Sequence, residues 1–261
     1  MTKLGFELSH TNFRREGGNR YSRRLLELYD SLGIRWVEFP VHRFLPAFTL
    51  LHGWNRCFWI NKRVLKKFED ILSSYDFERA GHVLNRADIM NTRHQRIVNV
   101  CLQLAERLGC EKTVFHMPRQ LFIDRQETIS VQPFLSPDDY STQICLENLE
   151  PHINPVKIQE WAHEHNFGFC FDAGHFAVSP GWSYDIFPRL KPDHLHAHNN
   201  DLVNDLHAPI HEGSIDFGRI FKIIGELPET ITMEVHAKGE ERSFYKQAFE
   251  KAQGLLQQRQ G

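Results

Sequence analysis

Short apolar segments alternate with amphipathic segments along the whole chain, and this alternation limits the possible folds more than any other feature. Eight apolar segments of five to eight residues predict buried strands, since a strand covered on both faces is apolar throughout. They are Lys3–His10, Ile34–Val41, Phe77–Leu84, Glu111–Met117, Thr142–Leu149, Gly168–Asp172, His194–His198 and Ile231–His236. The segments between them predict helices at Arg20–Leu32, Lys62–Tyr75, Asp88–Leu108, Val156–His165, Tyr184–Leu190, Asp216–Leu227 and Arg242–Leu256.

Strands that alternate with helices form a parallel sheet, and eight such strands close into a barrel. The weakest unit lies between the fourth and fifth strands, where residues 119–139 contain Pro133 and Pro137 and show no clear helical period. The chain has 261 residues, close to the roughly 250 that one such barrel requires. We therefore predict the α/β class, with residues 1–261 forming a single (β/α)8 TIM barrel domain.

Composition limits the partners that we expect. The net charge of −2 and the pI near 6.8 provide no general attraction to nucleic acid or to anionic membranes. The apolar runs are shorter than the ~20 residues of a transmembrane helix, and the five cysteines include no CxxC pair. We expect a cytoplasmic protein, without a disulfide framework, that acts on a small molecule. Nucleic acid is a less favoured partner, and the oligomeric state is left open.

Residues that bind metals recur where the predicted strands end. They are His10, Glu38, His42, His82, His116, Glu147, Asp172, His175, His194, His196, His198, Glu234 and His236, and the loop after the seventh strand adds Asp201, Asp205, His207 and His211. In a closed barrel these ends converge on one face, where active sites lie. Buried carboxylates are costly unless they are paired or bind a metal, so the joint occurrence predicts a metal centre.

Alternation along the seventh strand orients its side chains. His194, His196 and His198 point to one face, and Leu195 and Ala197 point to the other. The apolar pair suits the helix layer, so we expect the histidines to face the barrel interior. His198 is the candidate ligand, His196 is a candidate substrate contact, and His194 is expected to be structural.

Several fragments in order resemble the xylose isomerase-like barrel superfamily. They are His82-Val-Leu-Asn, Val114-Phe-His116-Met-Pro, Cys145-Leu-Glu147-Asn, Phe171-Asp172-Ala-Gly-His175, His196-Ala-His198-Asn-Asn-Asp201, Asp205-Leu-His207-Ala-Pro-Ile-His-Glu-Gly and Met233-Glu234-Val. This superfamily includes sugar isomerases, epimerases and the endonuclease IV group (AP endonuclease family 2). The resemblance covers nearly the whole chain and implies a metal-dependent enzyme.

The resemblance implies two alternative ligand sets. The one-metal epimerases use Glu, Asp, His and Glu, which match Glu147, Asp172, His198 and Glu234. The endonuclease IV-like enzymes use three zinc ions, and the five further ligand positions match His82, His116, His175, Asp205 and His207. A catalytic zinc keeps about three protein ligands, so nine ligands predict two or three ions, of zinc or else manganese, with Glu147 as a bridge.

Three functions follow from these alternatives. The first is a phosphoester hydrolase with a multinuclear site, since neighbouring ions clamp the attacking and leaving oxygens of a phosphoryl group. The second is a one-metal sugar (phosphate) isomerase or epimerase in which Glu147 and Glu234 are catalytic and transfer a proton. The third, a non-enzymatic binding or assembly protein that keeps the barrel, leaves the ligand set unexplained.

Two further expectations concern the substrate. Arg119, shortly after His116, is a candidate phosphate contact, and the aromatic segment Phe44–Trp59 is a candidate wall of the site. Asn85 and Arg86 follow the third strand without an aromatic wedge that could part DNA bases. A small phosphoester or sugar phosphate is therefore the preferred substrate.

Overall fold

A computed structural model describes residues 2–8, 19–45, 62–83, 87–117, 133–149, 154–235, 237 and 241–260. Its strands pair in the order β1 to β8 and close into a barrel in which every neighbouring pair is parallel. The strands are β1 Lys3–Glu7, β2 Trp36–Pro40, β3 Glu78–Val83, β4 Lys112–His116, β5 Gln143–Glu147, β6 Gly168–Asp172, β7 His194–Ala197 and β8 Thr230–Met233. The predicted (β/α)8 barrel is confirmed.

The helices of the described residues surround this barrel. They are α1 Asn19–Ser31, α2 Lys62–Leu72, α3 Gln95–Arg107, α4 Pro155–Glu164, α5 Ala173–Ala177, α6 Phe217–Ile223 and α7 Glu241–Gln260. Short 3-10 turns occur at Val41–Phe44, Thr92–His94, Pro137–Asp139 and Tyr184–Arg189. Asn154 caps α4 by accepting a hydrogen bond from the Val156 backbone, with Pro155 at the first helical position.

The main apolar core lies between the strands and the helices. Phe6 of β1 stacks on Tyr29 of α1 at a ring distance of 5.3 Å, and it meets the edge of Tyr245 of α7 at 4.9 Å. A second, small cluster of Val114, Cys145 and Cys170 lies apart from this core. Both cysteines are fully buried beside Val114.

Three helix predictions need correction. The helix predicted from Asp88 begins only at Gln95, because Asp88 and Asn91 accept hydrogen bonds from the Met90 and Arg93 backbone amides and so favour turns. The segment Tyr184–Arg189 is a 3-10 turn, and the short α5 was not predicted.

The helix predicted to reach Leu227 ends at Ile223. Beyond it, the backbone amides of Gly225 and Glu226 donate to the carbonyls of Phe187 and Leu190 at 2.9 and 3.1 Å. These bonds turn the chain toward the Tyr184–Arg189 segment, so the helix cannot continue.

The strand ends also differ from the predictions by a few residues. Glu234 lies one residue beyond β8, and His198 lies one residue beyond β7. His10 and His236, which end two of the predicted strands, lie outside the described residues.

The remaining observations on the fold concern the cysteines and the apolar length of the helices. The four described cysteines, Cys101, Cys110, Cys145 and Cys170, are free and buried. No helix among the described residues is long and apolar enough to cross a membrane.

Candidate metal centre

Ionisable side chains gather at the carboxyl-terminal end of the barrel, which we call its upper end. Parallel strands bring their ends to one side, so residues far apart in sequence meet there. The donor atoms that could hold a metal ion include four adjacent groups, and Cys170, His194 and His196 form a further group. The first group is His82, His116 and Glu147; the second is Glu147, Asp172 and His175; the third is His175, His198, Asp205 and His207; and the fourth is Glu38, His82, His196 and Glu234.

The first group joins three consecutive strands, β3, β4 and β5. His82 Nε2 lies 2.9 Å from His116 Nε2 and 3.3 Å from Glu147 Oε2, and His116 Nε2 lies 3.2 Å from the same oxygen. The register of β4 and β5 pairs His116 with Glu147, which explains their proximity. Two ring nitrogens and one carboxylate oxygen thus converge, as zinc ligands do.

The second group depends on the way β6 leads into α5. Asp172 caps α5 by accepting a hydrogen bond from the His175 backbone at 2.6 Å. Asn148, next to Glu147, exchanges two hydrogen bonds with the Asp172 backbone, at 2.8 and 2.9 Å. His175 Nδ1 then lies 3.1 Å from Glu147 Oε1 and 3.4 Å from Asp172 Oδ2. The asparagine of the Leu-Glu-Asn fragment therefore fixes the neighbouring strand's carboxylate.

The third group is completed by the loop after β7. Asp205 lies 3.5 Å from His175 Nε2, 3.4 Å from His198 Nδ1 and 3.3 Å from His207 Nε2. His207 Nδ1 donates a hydrogen bond to the Glu234 carbonyl at 2.9 Å, and this bond orients the ring so that Nε2 faces Asp205.

Asparagine side chains hold this loop in place. Asn199 donates to the carbonyls of Ile210 and Ile215, both at 3.0 Å, and Asn200 donates to the Gly174 carbonyl at 2.9 Å. Gly174 itself has no room for a larger side chain, because an added Cβ would overlap the His198 ring. The Asn-Asn and Ala-Gly fragments therefore act as supports of the third group.

The fourth group lies deeper in the barrel. Glu38 of β2 is fully buried, and its carboxylate lies 3.1 Å from His82 Nδ1, 2.9 Å from His194 Nε2 and 3.1 Å from His196 Nε2. Glu234 Oε1 lies 3.3 Å from His82 Nδ1 and 3.2 Å from His196 Nδ1. His82 therefore presents one ring nitrogen to the first group and the other to the fourth.

The electrostatics of the groups favour cations. Burial would raise the pKa of Glu147, but the charges of His116 and His196 outweigh it and hold this pKa well below its usual range. Burial would lower the pKa of His175, but Asp172, Asp205 and Glu147 hold it well above the ordinary value. Burial, reinforced by Glu234, raises the pKa of Glu7, 3.9 Å from His82, to about 8. Neighbouring positive charge thus favours the ionised form of Glu147, whereas burial favours the neutral form of Glu7.

Several buried polar atoms lack the hydrogen bond that such atoms normally have. Among the described residues these include both carboxylate oxygens of Glu147, Oε1 of Glu38 and Glu234, and Nδ1 of His82, His175, His196 and His198. An unsatisfied buried carboxylate costs several kcal/mol, roughly, unless a cation compensates it. Nitrogen and oxygen donors of this kind fit zinc or manganese.

All nine predicted ligands lie at the upper end, but their grouping differs in detail from the predicted one. The first group and the third group bring together the residues predicted for two of the ions. Glu234, predicted to share an ion with Asp172 and His198, lies beside Glu38, His82 and His196.

Three predictions concerned contacts with the substrate, namely His196, Arg119 and the aromatic segment Phe44–Trp59. His196 is fully buried beneath the groups. Phe44 is buried and packs against Phe68 at a ring distance of 5.3 Å, so it belongs to the core and not to a wall. Arg119 and residues 46–61, which include Trp54 and Trp59, lie outside the described residues.

Glu7 was not predicted to belong to the site, and Glu38 was predicted only to lie where a strand ends. Each stands within an otherwise apolar stretch, Gly5-Phe-Glu7-Leu and Trp36-Val-Glu38-Phe-Pro. A charge buried in such a strand needs a partner, and this signal could have drawn attention to both residues.

Comparisons with known proteins agree with this architecture. The family model described as "Xylose isomerase-like TIM barrel" matches residues 26–257, whereas no curated protein matches the chain significantly. A D-tagatose 3-epimerase-like protein is 18% identical, with a TM-score of 0.66, over 99% of this chain and 98% of its own.

Two other solved structures are similar. The TTHB071 protein from Thermus thermophilus, soaked with ZnCl2, is 19% identical, with a TM-score of 0.56, over 96% of this chain and 98% of its own. SacUVDE is 14% identical, with a TM-score of 0.58, over 97% of this chain and 99% of its own. At these identities the likeness concerns the fold, and the chemistry must be argued from the residues of this chain.

Proposed function

The chain belongs to the xylose isomerase-like TIM barrel family, and within that family we propose that it is a metal-dependent hydrolase of a small phosphoester. One observation carries the proposal. The first group and the third group share no residue, yet each supplies three or more donors. Donors for at least two ions are therefore present, whereas a one-metal epimerase needs a single set.

The residues have distinct tasks in this proposal. His82, His116 and Glu147 would hold one ion, and His175, Asp205 and His207 would hold another. Asp172, His198, Glu147 and Glu234 are the candidates for an ion between them. Divalent ions there, zinc or manganese, would supply Lewis acidity toward the oxygens of a phosphoryl group.

The chain's own residues prepare this centre. Asn148 and the α5 backbone orient Asp172, and the Glu234 carbonyl orients His207. Because the metal-binding atoms are already fixed in position, they do not have to reorganise when charge develops in the transition state. This is the main advantage of a fixed polar site. We retain Arg119 as a candidate phosphate contact.

An epimerase is the second candidate, and one observation favours it. Glu147 Oε1 and Glu234 Oε1 both lie near His196 Nδ1, at 3.5 and 3.2 Å. Two carboxylates that face a common space could pass a proton at the carbon beside a carbonyl. This function leaves the third group without a task, so we place it second.

The test combines a metal count with two assays. The purified protein, reconstituted with Zn²⁺ or Mn²⁺, is examined by elemental analysis and then offered p-nitrophenyl phosphate, bis(p-nitrophenyl) phosphate and a panel of ketoses. We expect more than one ion per chain and hydrolysis that stops when a chelator removes the metal. One ion or fewer, together with ketose epimerisation, would contradict the proposal and support the second candidate.

A further inference from the structure

A cavity lies at the amino-terminal end of the barrel, opposite the candidate metal centre, and we call it the basal cavity. It is bordered by the residues at which β1 and β2 begin, Lys3 and Trp36, and by the second half of α7. Its volume is about 430 Å³, which falls within the roughly 300–1,000 Å³ that small-molecule sites occupy. Neither candidate function gives this cavity a task.

The lining of the basal cavity combines buried apolar residues with exposed polar ones. Leu4, Trp36 and Phe249 line it and are buried. Gln253 and Gln257 also line it, and both are exposed. In small-molecule sites apolar walls provide most of the affinity, and a few polar groups fix the orientation of the ligand. The basal cavity has both parts, and its exposed side admits a molecule from solvent.

Helix α7 supplies one continuous stripe of this lining. Phe249, Gln253 and Gln257 follow one another at intervals of four residues, and Leu256 lies three residues after Gln253. Residues three or four apart are neighbours on one face of a helix, so all four border the same space. A glutamine amide can both donate and accept hydrogen bonds. The stripe thus offers two such amides beside an apolar surface, which suits a ligand with a hydroxyl or carbonyl group.

The two cationic side chains of the lining already have acidic partners. Arg35 Nη1 lies 2.6 Å from Asp30 Oδ1. Lys3 Nζ contacts three carboxylates, those of Glu78, Glu111 and Glu229. An anion in the cavity would approach these carboxylates, and a cation would approach the ammonium and guanidinium groups. Burying a charge costs free energy unless a partner compensates it, so the lining favours an uncharged molecule.

We propose that the basal cavity binds a small uncharged molecule that has an apolar ring and a hydroxyl or carbonyl group. The ring would lie against Trp36 and Phe249, because aromatic side chains provide a large apolar surface. The polar group would form a hydrogen bond with the amide of Gln253 or Gln257. The lining shares no residue with the four donor groups, so the proposal is independent of the metal-dependent hydrolase.

Trp36 provides a spectroscopic reporter of binding. Its Nε1 donates a hydrogen bond to Thr232 Oγ1 at 2.9 Å, so the indole N–H is held in one position at the wall of the cavity. Trp161 and Trp182 also lie among the described residues, but they do not line the cavity. A ligand in the basal cavity should therefore shift the NMR signal of the Trp36 indole N–H and leave those of Trp161 and Trp182 in place.

The first experiment tests the chemical class of the ligand. The probe is 2-naphthol, an uncharged aromatic alcohol, titrated into the protein in EDTA so that its oxygen cannot bind a metal ion. We expect calorimetry to show saturable binding of one molecule per chain, together with the shift of the Trp36 signal. The probes 2-naphthoate and 2-naphthylmethylammonium carry a charge on the same ring, and each should bind about tenfold more weakly. Tighter binding of either charged probe than of 2-naphthol overturns the proposal.

The second experiment tests the location with two tryptophan substitutions on α7. Gln253→Trp places an indole in the cavity from an exposed position, so the barrel should remain folded. The indole takes up space that the ligand needs, and we expect the affinity for 2-naphthol to fall by about tenfold or more. Gln247→Trp adds the same group at another exposed position of α7, outside the lining. This control should keep the wild-type affinity.

The outcomes separate this inference from the proposed function. Absence of saturable 2-naphthol binding to the wild-type protein overturns the inference, and so does equal affinity in Gln253→Trp and Gln247→Trp. If the wild-type protein hydrolyses phosphoesters but does not bind 2-naphthol, only the inference fails. If it binds 2-naphthol in the basal cavity but binds at most one Zn²⁺ and hydrolyses no phosphoester, the inference stands and the proposed function fails.

Discussion

The interior of the barrel has two layers with opposite chemistry on the same strands. Val114, Cys145 and Cys170 form an apolar lower layer on β4, β5 and β6. Two residues further along, the same strands carry His116, Glu147 and Asp172. Residues two apart in a strand point to the same side and lie about 6.6 Å apart. Two residues along each of these strands therefore separate a buried packing side chain from a candidate metal ligand.

The other side of the barrel lacks this sharp boundary. On β7 and β8, His194 and Thr232 are polar and fully buried, and both contact Glu38 of β2. These contacts support the upper layer from below. Apolar packing needs only a matching shape and volume, whereas a ring nitrogen must point in one direction to bind a metal. Hydrogen bonds from buried polar residues below the ring can fix that direction.

The comparison between the layers is tested most strongly on β5. Glu147 belongs to both the first and the second group, so Glu147→Gln should impair two ions. Loss of the ions removes several kcal/mol of transition-state stabilisation, and we expect phosphoesterase activity to fall about a thousandfold. Cys145→Ala, two residues earlier on the same face, should leave metal content and activity close to wild type. Similar metal losses in both variants would erase the distinction between the layers.

A second test concerns the loop that completes the upper layer. His207→Ala would leave His175, His198 and Asp205 in the third group. Because the proposed function assigns His198 to the ion between the groups, the outer ion would keep only His175 and Asp205, fewer than the usual three ligands. We therefore expect loss of about one equivalent of metal and a fall in activity on the order of a hundredfold. His211→Ala, in the same loop but outside the four groups, is the control. Full metal content in His207→Ala would remove this residue from the ligand set.

A third test changes the support of a ligand without touching a donor atom. In Gly174→Ala the new Cβ would overlap the His198 ring, so the ring or α5 must shift. We expect metal affinity at the third group to fall by roughly 10–100-fold, as for other losses of ligand orientation. Gly181→Ala is the matched control, because the nearest atom to its added Cβ, Ser179 Oγ, lies 3.9 Å away. Equal metal affinity in the two alanine variants would show that the close approach of Gly174 is unimportant.

The upper layer could be predicted from the sequence because its signals are local. Glu147 and Asp172 each end an apolar strand, so neighbouring residues suffice to predict their position. The role of Glu38 could not be predicted in this way, since its partners His194 and His196 lie 156 and 158 residues away and meet it only when the barrel closes. The five-residue α5 was missed because it is too short for a helical period, and its cap, Asp172, already ends β6.

The smallest effect on metal binding is expected in the lower layer. A substitution there should change the free energy of unfolding and leave metal binding unaffected. Val114 is fully buried and clusters with Cys145 and Cys170, so Val114→Ala removes two methyl groups from a packed interior and leaves a cavity. We expect the free energy of unfolding of the metal-free protein to fall by about 1–3 kcal/mol, measured by denaturant titration. Val203→Ala, at a side chain that is 77% exposed, should change it by less than about 0.5 kcal/mol. Metal affinity should be unchanged in both variants, because Val114 lies one step below His116 and belongs to none of the four donor groups. If Val114→Ala weakens Zn²⁺ binding as much as it weakens folding, the lower layer also controls the geometry of the ligands, and the two layers cannot be treated as independent.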